Sequence, residues 1–370
     1  MPMRESRYKA AIIGTGGISR AHAGALAAHA DRVELVAAVD IDGDRARDFA
    51  DRHGVPQTFT DPEAMLTRVQ PDIVHVCTPP GLHAEQSVAA MEAGAWVLCE
   101  KPLCASLAEM DRIEAGEAAT GNYTSSVFQW RFGSGGRHLK ELIRKEAMGR
   151  LLVANVLTTW YRGDPYFAVR WRSTWKAAVG GCTVVHGIHI MDFALWLIGE
   201  WREIRAMMAT LAHDIEVENV SMASVRFADG AMASFSNSIL SPRQESVLRL
   251  DFASATVEMK RNVYTYGNQD WSYSTWEESP HADAVKEWGS LPPDVPASHA
   301  TQVGSFLDSR DRNERPEVSG ADIRGTIEFL TAFYKSAVEG RPVLRGEIRP
   351  GDPWYRLMNG QFHLLDEVAG

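Results

Sequence analysis

YKAAIIGTGGISRAHAGALAAHADRVELVAAVD, residues 8–40, passes from an apolar strand pattern through a glycine turn into a helical pattern, then into a second apolar strand pattern. The turn Gly14-Thr15-Gly16-Gly17-Ile18-Ser19 is GxGxxG with serine in the last place. Gly14 permits the tight turn, Gly16 lets backbone approach a pyrophosphate, and a small Ser19 lets the helix pack on the strand. The second strand ends in Asp40, twenty-six residues after Gly14. A carboxylate there accepts hydrogen bonds from ribose hydroxyls and repels a 2′-phosphate, which favours NAD over NADP. Arg45 is close enough to blunt that discrimination. A flavin needs further binding segments, and none can be located in the chain.

Working outward, DIVHVCTP, AWVLCE and NYTSSVFQ repeat the pattern of short, almost continuously apolar strands separated by helices. Strands buried on both faces belong to a parallel sheet with helices on either side, so the fold class is α/β, with an N-terminal doubly wound Rossmann sheet over residues 1–125. Beyond residue 150 the texture changes. ASVRFADGAMASFSNSIL reads as two strands around an Asp229-Gly230 turn. Residues 126–370 are therefore expected to form a second, α+β domain with a large open, mainly antiparallel sheet, its C-terminal helices packing back on the first domain. Nine of the eleven tryptophans fall after residue 150, where they either stack on a ligand or fill a sheet face or subunit interface.

The 370 residues accommodate about two domains at the usual ~100–200 residues each. With 45% hydrophobic and 23% charged residues the chain is neither fibrous nor disordered. A formal charge of −10 repels phosphate backbones and anionic membrane faces, so no nucleic acid and no membrane partner is expected. Cys77, Cys99, Cys104 and Cys182 show neither a CxxC pair nor zinc spacing, which predicts buried reduced thiols and a cytoplasmic protein. The first apolar run is too short for a signal peptide, and Val184 to Gly199 is too short and too polar to span a bilayer.

Two later motifs extend the pattern: Thr78-Pro79-Pro80-Gly81-Leu82-His83 after one strand and Glu100-Lys101-Pro102 after the next. With GTGGIS, Asp40 and the pair Gly180-Gly181 ahead of HGIHIMD, the chain resembles the Gfo/Idh/MocA oxidoreductases, the glucose-fructose oxidoreductase and inositol dehydrogenase group, over almost its whole length. The resemblance implies a Rossmann domain, a second domain on a large open sheet, a nicotinamide cofactor, and sugar, cyclitol or polyol substrates. It also places Thr78, Pro79, His83 and Glu100 beside the cofactor. Lys101 lies just past a strand end, where an ammonium can donate to a substrate hydroxyl and stabilise the alkoxide that forms as hydride leaves; Glu100 would orient it. The segment after the paired glycines supplies, in the family, an aspartate and, four residues later, a proton-relaying histidine. Here the histidine is His189, but Val185 stands where the aspartate is usual. His186 is then the adjacent polar partner and Asp192 the nearest carboxylate. An imidazole with an ordinary pKa of about 6.5 takes or returns a hydroxyl proton near neutral pH. His186, His189 and Asp192 also spell HxxHxxD, but at helical spacing they drift around the axis, and no metal is expected.

Gln129 and Arg131 match the family segment leading into the substrate domain and would face nicotinamide and substrate. Tyr161, Arg162, Trp171, Arg172 and Trp175 offer donors and aromatic faces suited to a polyhydroxylated ring, although either arginine would serve equally in a surface ion pair. The expected activity is NAD-dependent hydride transfer at a secondary hydroxyl of a sugar, sugar derivative or cyclitol. One alternative is redox-neutral glycoside cleavage through a transient 3-keto sugar, which Val185 favours; another is a non-catalytic NAD-binding sensor. A homodimer or homotetramer is expected, because an open sheet face needs a cover.

Overall fold

The computed structural model describes residues 7–261 and 264–361. The chain divides into two units, the first running to Val127 and taking in His299–Arg324, the second comprising Phe128–Ser298 and the chain from Gly325 on.

In the first unit β1 (Tyr8–Ile13), β2 (Val33–Val39), β3 (Gln57–Phe59), β4 (Ile73–Val76), β5 (Trp96–Cys99) and β6 (Thr124–Ser126) form one parallel sheet in the order β3-β2-β1-β4-β5-β6. All five apolar runs read as strands are strands. The sixth, β3, is a three-residue edge strand with no apolar run to announce it. The helix Ser19–Ala27 turns His22, Ala23 and Leu26 inward. Segment 299–324 belongs here because Phe306, 2% exposed, packs its ring 5.9 Å from Trp96, itself fully buried.

The second unit holds an eight-stranded sheet: β7 (Leu151–Tyr161), β8 (Trp201–Ala209), β9 (Val220–Phe227), β10 (Met232–Ser238), β11 (Leu240–Phe252), β12 (Thr256–Arg261), β13 (Trp271–Ser274) and β14 (Val343–Leu344), in the order β13-β12-β11-β7-β10-β9-β8-β14. Only β7 and β10 pair in parallel. The Asp229-Gly230 hairpin forms as expected, with Met232 opposite Arg226 and Gly230 at φ 92°. Burial alternates along β9 and β10: Val225, Phe227 and Phe235 are covered, with Phe235 lying 5.3 Å from Phe329, whereas Met222 and Met232 are exposed. Val153, paired with Met232, and Met207, paired with Met222, continue the open apolar face. Trp175–Ile198 is long and apolar enough by composition to cross a membrane, but 78% of its most apolar window is buried inside the protein, as in a core helix.

Gly14 is a glycine that the first sheet cannot spare. Its φ is 92°, and a Cβ there would stand 2.8 Å from the carbonyl of Cys77 at the end of β4. Gly14→Ala is expected to lower stability by more than the ~1 kcal/mol of a strain-free glycine change, visible as a fall in thermal midpoint; an unchanged midpoint would contradict the close approach.

Candidate active site

The strands of the first sheet end level with one another. Val39 pairs with Ile13, Ile13 with Val76, Val76 with Cys99 and Cys99 with Ser126. The next residue of each strand, Asp40, Gly14, Cys77, Glu100 and Val127, therefore lies on one rim, the carboxyl edge where open α/β sheets bind ligands. Apart from the chain neighbours, no atom of the described residues comes within 4 Å of a Cβ built on Gly16 or Gly17, so the turn is open there to a close approach. Ser19 closes it from below, donating from Oγ to the Gly16 carbonyl at 2.6 Å. Asp40 accepts from the Thr15 amide and hydroxyl, both at 3.0 Å, and from the Asp42 amide, and pairs with Arg45 at 3.0 Å. These residues fit a dinucleotide. Arg45, more than half exposed, stands beside Asp40 as the sequence indicated.

Glu100 is a buried carboxylate. One oxygen accepts from His22 Nε2 at 3.0 Å and faces His299 Nε2 at 3.5 Å; the other accepts the Lys101 amide at 3.2 Å, so Glu100 fixes the backbone that carries Lys101. Although burial opposes it, these imidazoles hold the Glu100 carboxyl well below the usual carboxylate range. His22 Nδ1 lies 2.8 Å from His75 Nδ1, and with His22 donating to Glu100, His75 carries the shared proton. Burial lowers the pKa of His22 and, further, of His75. Donor atoms of His22, Glu100 and His299 lie within 4.8 Å of one another, a spacing a cation accepts, but His22 already spends its Nε2 on Glu100. His83, expected beside the cofactor, is fully buried instead. Its ring nitrogens lie 2.7 Å from the Pro102 carbonyl and 2.8 Å from the Thr78 carbonyl, between the two motif loops, and the neutral ring donates to one of them. Thr78 donates its hydroxyl to Gln86, and Pro79 leads into the short helix Pro80–Leu82. The Lys101–Pro102 bond is cis.

In the second unit the paired glycines are there for space: a Cβ on Gly180 would stand 2.0 Å from the Tyr334 hydroxyl, and one on Gly181 1.8 Å from the Glu218 carbonyl. Buried Glu218 accepts from the amides of Gly181 and Thr183 and from the Tyr334 hydroxyl, each at 2.9 Å, while burial holds its carboxyl above the usual range. That carboxylate ties down a π-turn, Thr183–Gly187, which contains Val185 and His186, and the helix Ile188–Ile198 follows directly with His189 in its first turn. The His189 ring lies 6.3 Å from Trp130, nearly parallel to it, and 6.4 Å from Trp160. Asp192 corrects an expectation. It is fully buried, receives both Nε and Nη2 of Arg131 at 2.8 and 2.6 Å, and accepts from Thr326 at 2.9 Å. Neither Asp192 nor Arg131, 4% exposed, presents its charge to a substrate; together they form a buried bidentate ion pair that fastens the helix of His189.

Gln129 is 1% exposed, and its Oε1 takes no hydrogen bond from the described residues. Tyr161 is half exposed. Trp175 donates its amide to Glu216 and packs edge-on to Tyr334, 6.1 Å away. Arg162 lies over Trp160 and Tyr166, and Arg172 over Tyr166 and Trp171. The surface ion pairs considered for these arginines are not formed among the described residues.

Motif reading passed over His22, His75, His299, Tyr166, Glu218 and Tyr264. Only His22 carried a signal, as a histidine on the inward face of the first helix; the others become relevant through contacts between residues far apart in sequence.

Residues 8–128 match the family model described as "Oxidoreductase family, NAD-binding Rossmann fold", and residues 137–261 match the "GFO/IDH/MocA C-terminal domain". The chain is 27% identical over 293 residues to D-glucoside 3-dehydrogenase of Escherichia coli, covering 72% of this chain and 81% of that protein. It is 28% identical over 342 residues to myo-inositol 2-dehydrogenase of Thermotoga maritima, covering 91% and 98%. The crystal structure of the WlbA dehydrogenase from Bordetella pertussis in complex with NADH and UDP-GlcNAcA superposes with a TM-score of 0.82 at 26% identity, covering 93% of this chain and 99% of that one.

His22, His75 and His83 all have their pKa lowered by burial, so the unfolded chain binds protons before the folded one does. Stability is therefore expected to be intact above about pH 6.5 and to fall below it, by up to about 1.4 kcal/mol per pH unit for each histidine still neutral. Denaturant unfolding between about pH 7.5 and 5.5 checks this; a flat profile would show that the three titrate normally.

Proposed function

We propose that this chain, which belongs to the GFO/IDH/MocA oxidoreductase family, oxidises a secondary hydroxyl of a sugar, sugar derivative or cyclitol, or reduces the matching ketone, with Lys101 and His189 as its acid–base pair. Its relatives are dehydrogenases of sugars and cyclitols, and its first unit is an NAD-binding Rossmann domain. The observation that carries the reading is the level rim: Lys101 follows Glu100 on the same edge that holds the Gly14 turn and Asp40.

NAD, when bound, supplies the hydride acceptor. Gly16 and Gly17 leave the turn open to a close approach of its pyrophosphate, Asp40 receives ribose hydroxyls, and Gln129 offers a buried amide oxygen to a donor such as a carboxamide. Lys101 donates to the substrate oxygen and stabilises the negative charge that develops there. His189 takes the hydroxyl proton during oxidation and returns it during reduction; Trp130 and Trp160 limit how far its ring can turn. Val185 sits in the π-turn and cannot act as a carboxylate, so His189 and Lys101 carry the proton chemistry without one. Four buried thiols, all without disulfides and with pKa values raised by burial, suit a reducing cytoplasm.

NADH formation with a panel of sugars, cyclitols and glycosides tests the reading. Lys101→Ala is expected to lower kcat by about 10²–10⁴ while the protein still takes up NAD. His189→Asn should remove the ascending limb of the kcat/KM–pH profile. Turnover indifferent to both changes would remove the assignment, and glycoside cleavage without net NADH would move the chain to the redox-neutral class.

The open face bearing Val153, Met207, Met222 and Met232 covers itself against a second copy of the chain, giving a homo-oligomer. Placing a charge at its centre with Met222→Lys should weaken association at least about tenfold in sedimentation, since an unpaired ammonium is costly to bury. A wild-type chain that sediments as a monomer at every concentration would defeat this.

A further inference from the structure

Two guanidinium groups in the second unit share one aromatic ring and meet no carboxylate among the described residues. Arg172 Cζ lies 4.3 Å from the Tyr166 centroid and Arg162 Cζ 5.5 Å from it. Every hydrogen bond of Arg162 goes to a neutral acceptor: the Tyr161 carbonyl at 2.8 Å, the Gln244 side-chain oxygen at 3.1 Å and the Tyr264 hydroxyl at 2.8 Å. Arg172 donates to the Tyr166 carbonyl at 3.2 Å, and its Nε is buried with no hydrogen-bond partner among the described residues. Asp164, the acid nearest in sequence, gives its carboxylate to His213 at 3.0 Å. Arg32 pairs with Asp308 and Asp311, Arg131 with Asp192, and Arg324 with Asp111 and Glu114, whereas Arg310 stacks singly on Tyr8 and Trp96; Arg162 and Arg172 differ from it in sharing one ring.

Two like charges held against one ring repel each other, and each is partly stripped of water with no anion in return. An oxyanion reached by both would satisfy the buried Nε and cancel the repulsion through charge-assisted hydrogen bonds. The pair also stands one layer of side chains from His189. Arg162 covers Trp160, whose ring is 6.4 Å from His189, and donates to Tyr264, whose ring is 6.3 Å from it; Tyr166 lies 5.6 Å from His186.

We propose that Arg162 and Arg172 form an oxyanion subsite, so that the sugar or polyol oxidised by this chain carries a carboxylate or a phosphate group. The inference rests on the dehydrogenase reading for the identity of the reacting hydroxyl, but not for the binding of the anion. The probes are D-glucuronate, UDP-glucuronate and D-glucose 6-phosphate, with D-glucose and myo-inositol as neutral controls. Each is tested on the NAD-loaded protein for a shift in Tm and for NADH formation. The expected result is that an anionic probe raises Tm and exceeds the neutral sugars in kcat/KM by about tenfold or more. Preference for the uronates identifies a carboxylate, and preference for the phosphate ester identifies a phosphate. Arg162→Gln and Arg172→Gln should bring the anionic-to-neutral ratio towards one, with Arg172→Lys retaining part of it. Oxidation of neutral sugars alone, or an equal slowing of neutral and anionic substrates in both Gln variants, overturns the subsite and leaves the dehydrogenase reading standing. Binding of an anionic probe that both Gln variants lose, without any NADH, supports the subsite independently of the dehydrogenase reading. Failure of every anionic probe both to bind and to react overturns the subsite.

Discussion

Parallel strands deliver their carboxyl ends to one edge of a sheet, and in the first unit that edge is level to the residue. Because Val39, Ile13, Val76 and Cys99 share one rung of the ladder, the residues that follow them meet without any loop having to search for its place. The glycine turn, the acid Asp40 and the Glu100-Lys101 pair are thus set by backbone hydrogen bonds, the most regular interaction available to a chain. A one-residue slip in any of these strands would turn a functional side chain to the opposite face.

Burial then restricts what each charged group can do. Glu100 is kept ionised by imidazoles on two other segments, and it spends its second oxygen on the amide of Lys101. In the second unit Arg131 and Asp192 neutralise each other inside the core, and Glu218 ties the π-turn to Tyr334. Removing one partner of such a buried pair costs about 3–5 kcal/mol, because the remaining charge is stranded. Both sets of groups stand beneath the residues assigned to chemistry and hold them in place.

Charges left uncompensated follow a different logic. Arg162 and Arg172 stack on aromatic rings and bond to neutral oxygens, although the chain carries ten more acidic than basic side chains. A fold with so many carboxylates to offer has kept them away from these two cations. The open face of the second sheet is comparable for apolar surface, since its methionines are exposed on central strands where alternation would place polar side chains.

The sequence by itself determined the fold class, the five principal strands of the first sheet, the Asp229-Gly230 hairpin and the family, because period-two and near-continuous apolar patterns, turn chemistry and ordered motifs are local properties. Gly14, Asp40, Arg45 and the Glu100-Lys101 pair were legible for the same reason. Tertiary structure alone decided that β3 adds an edge strand, that segment 299–324 belongs to the first unit, that His83 is buried between the two motif loops, and that Arg131 and Asp192 are braces. It alone brought His299 to Glu100 and Glu218 to Gly181. Each of these depends on which distant groups share a desolvated space, where a charge or imidazole must find a partner, and spacing along the chain carries no record of that partner.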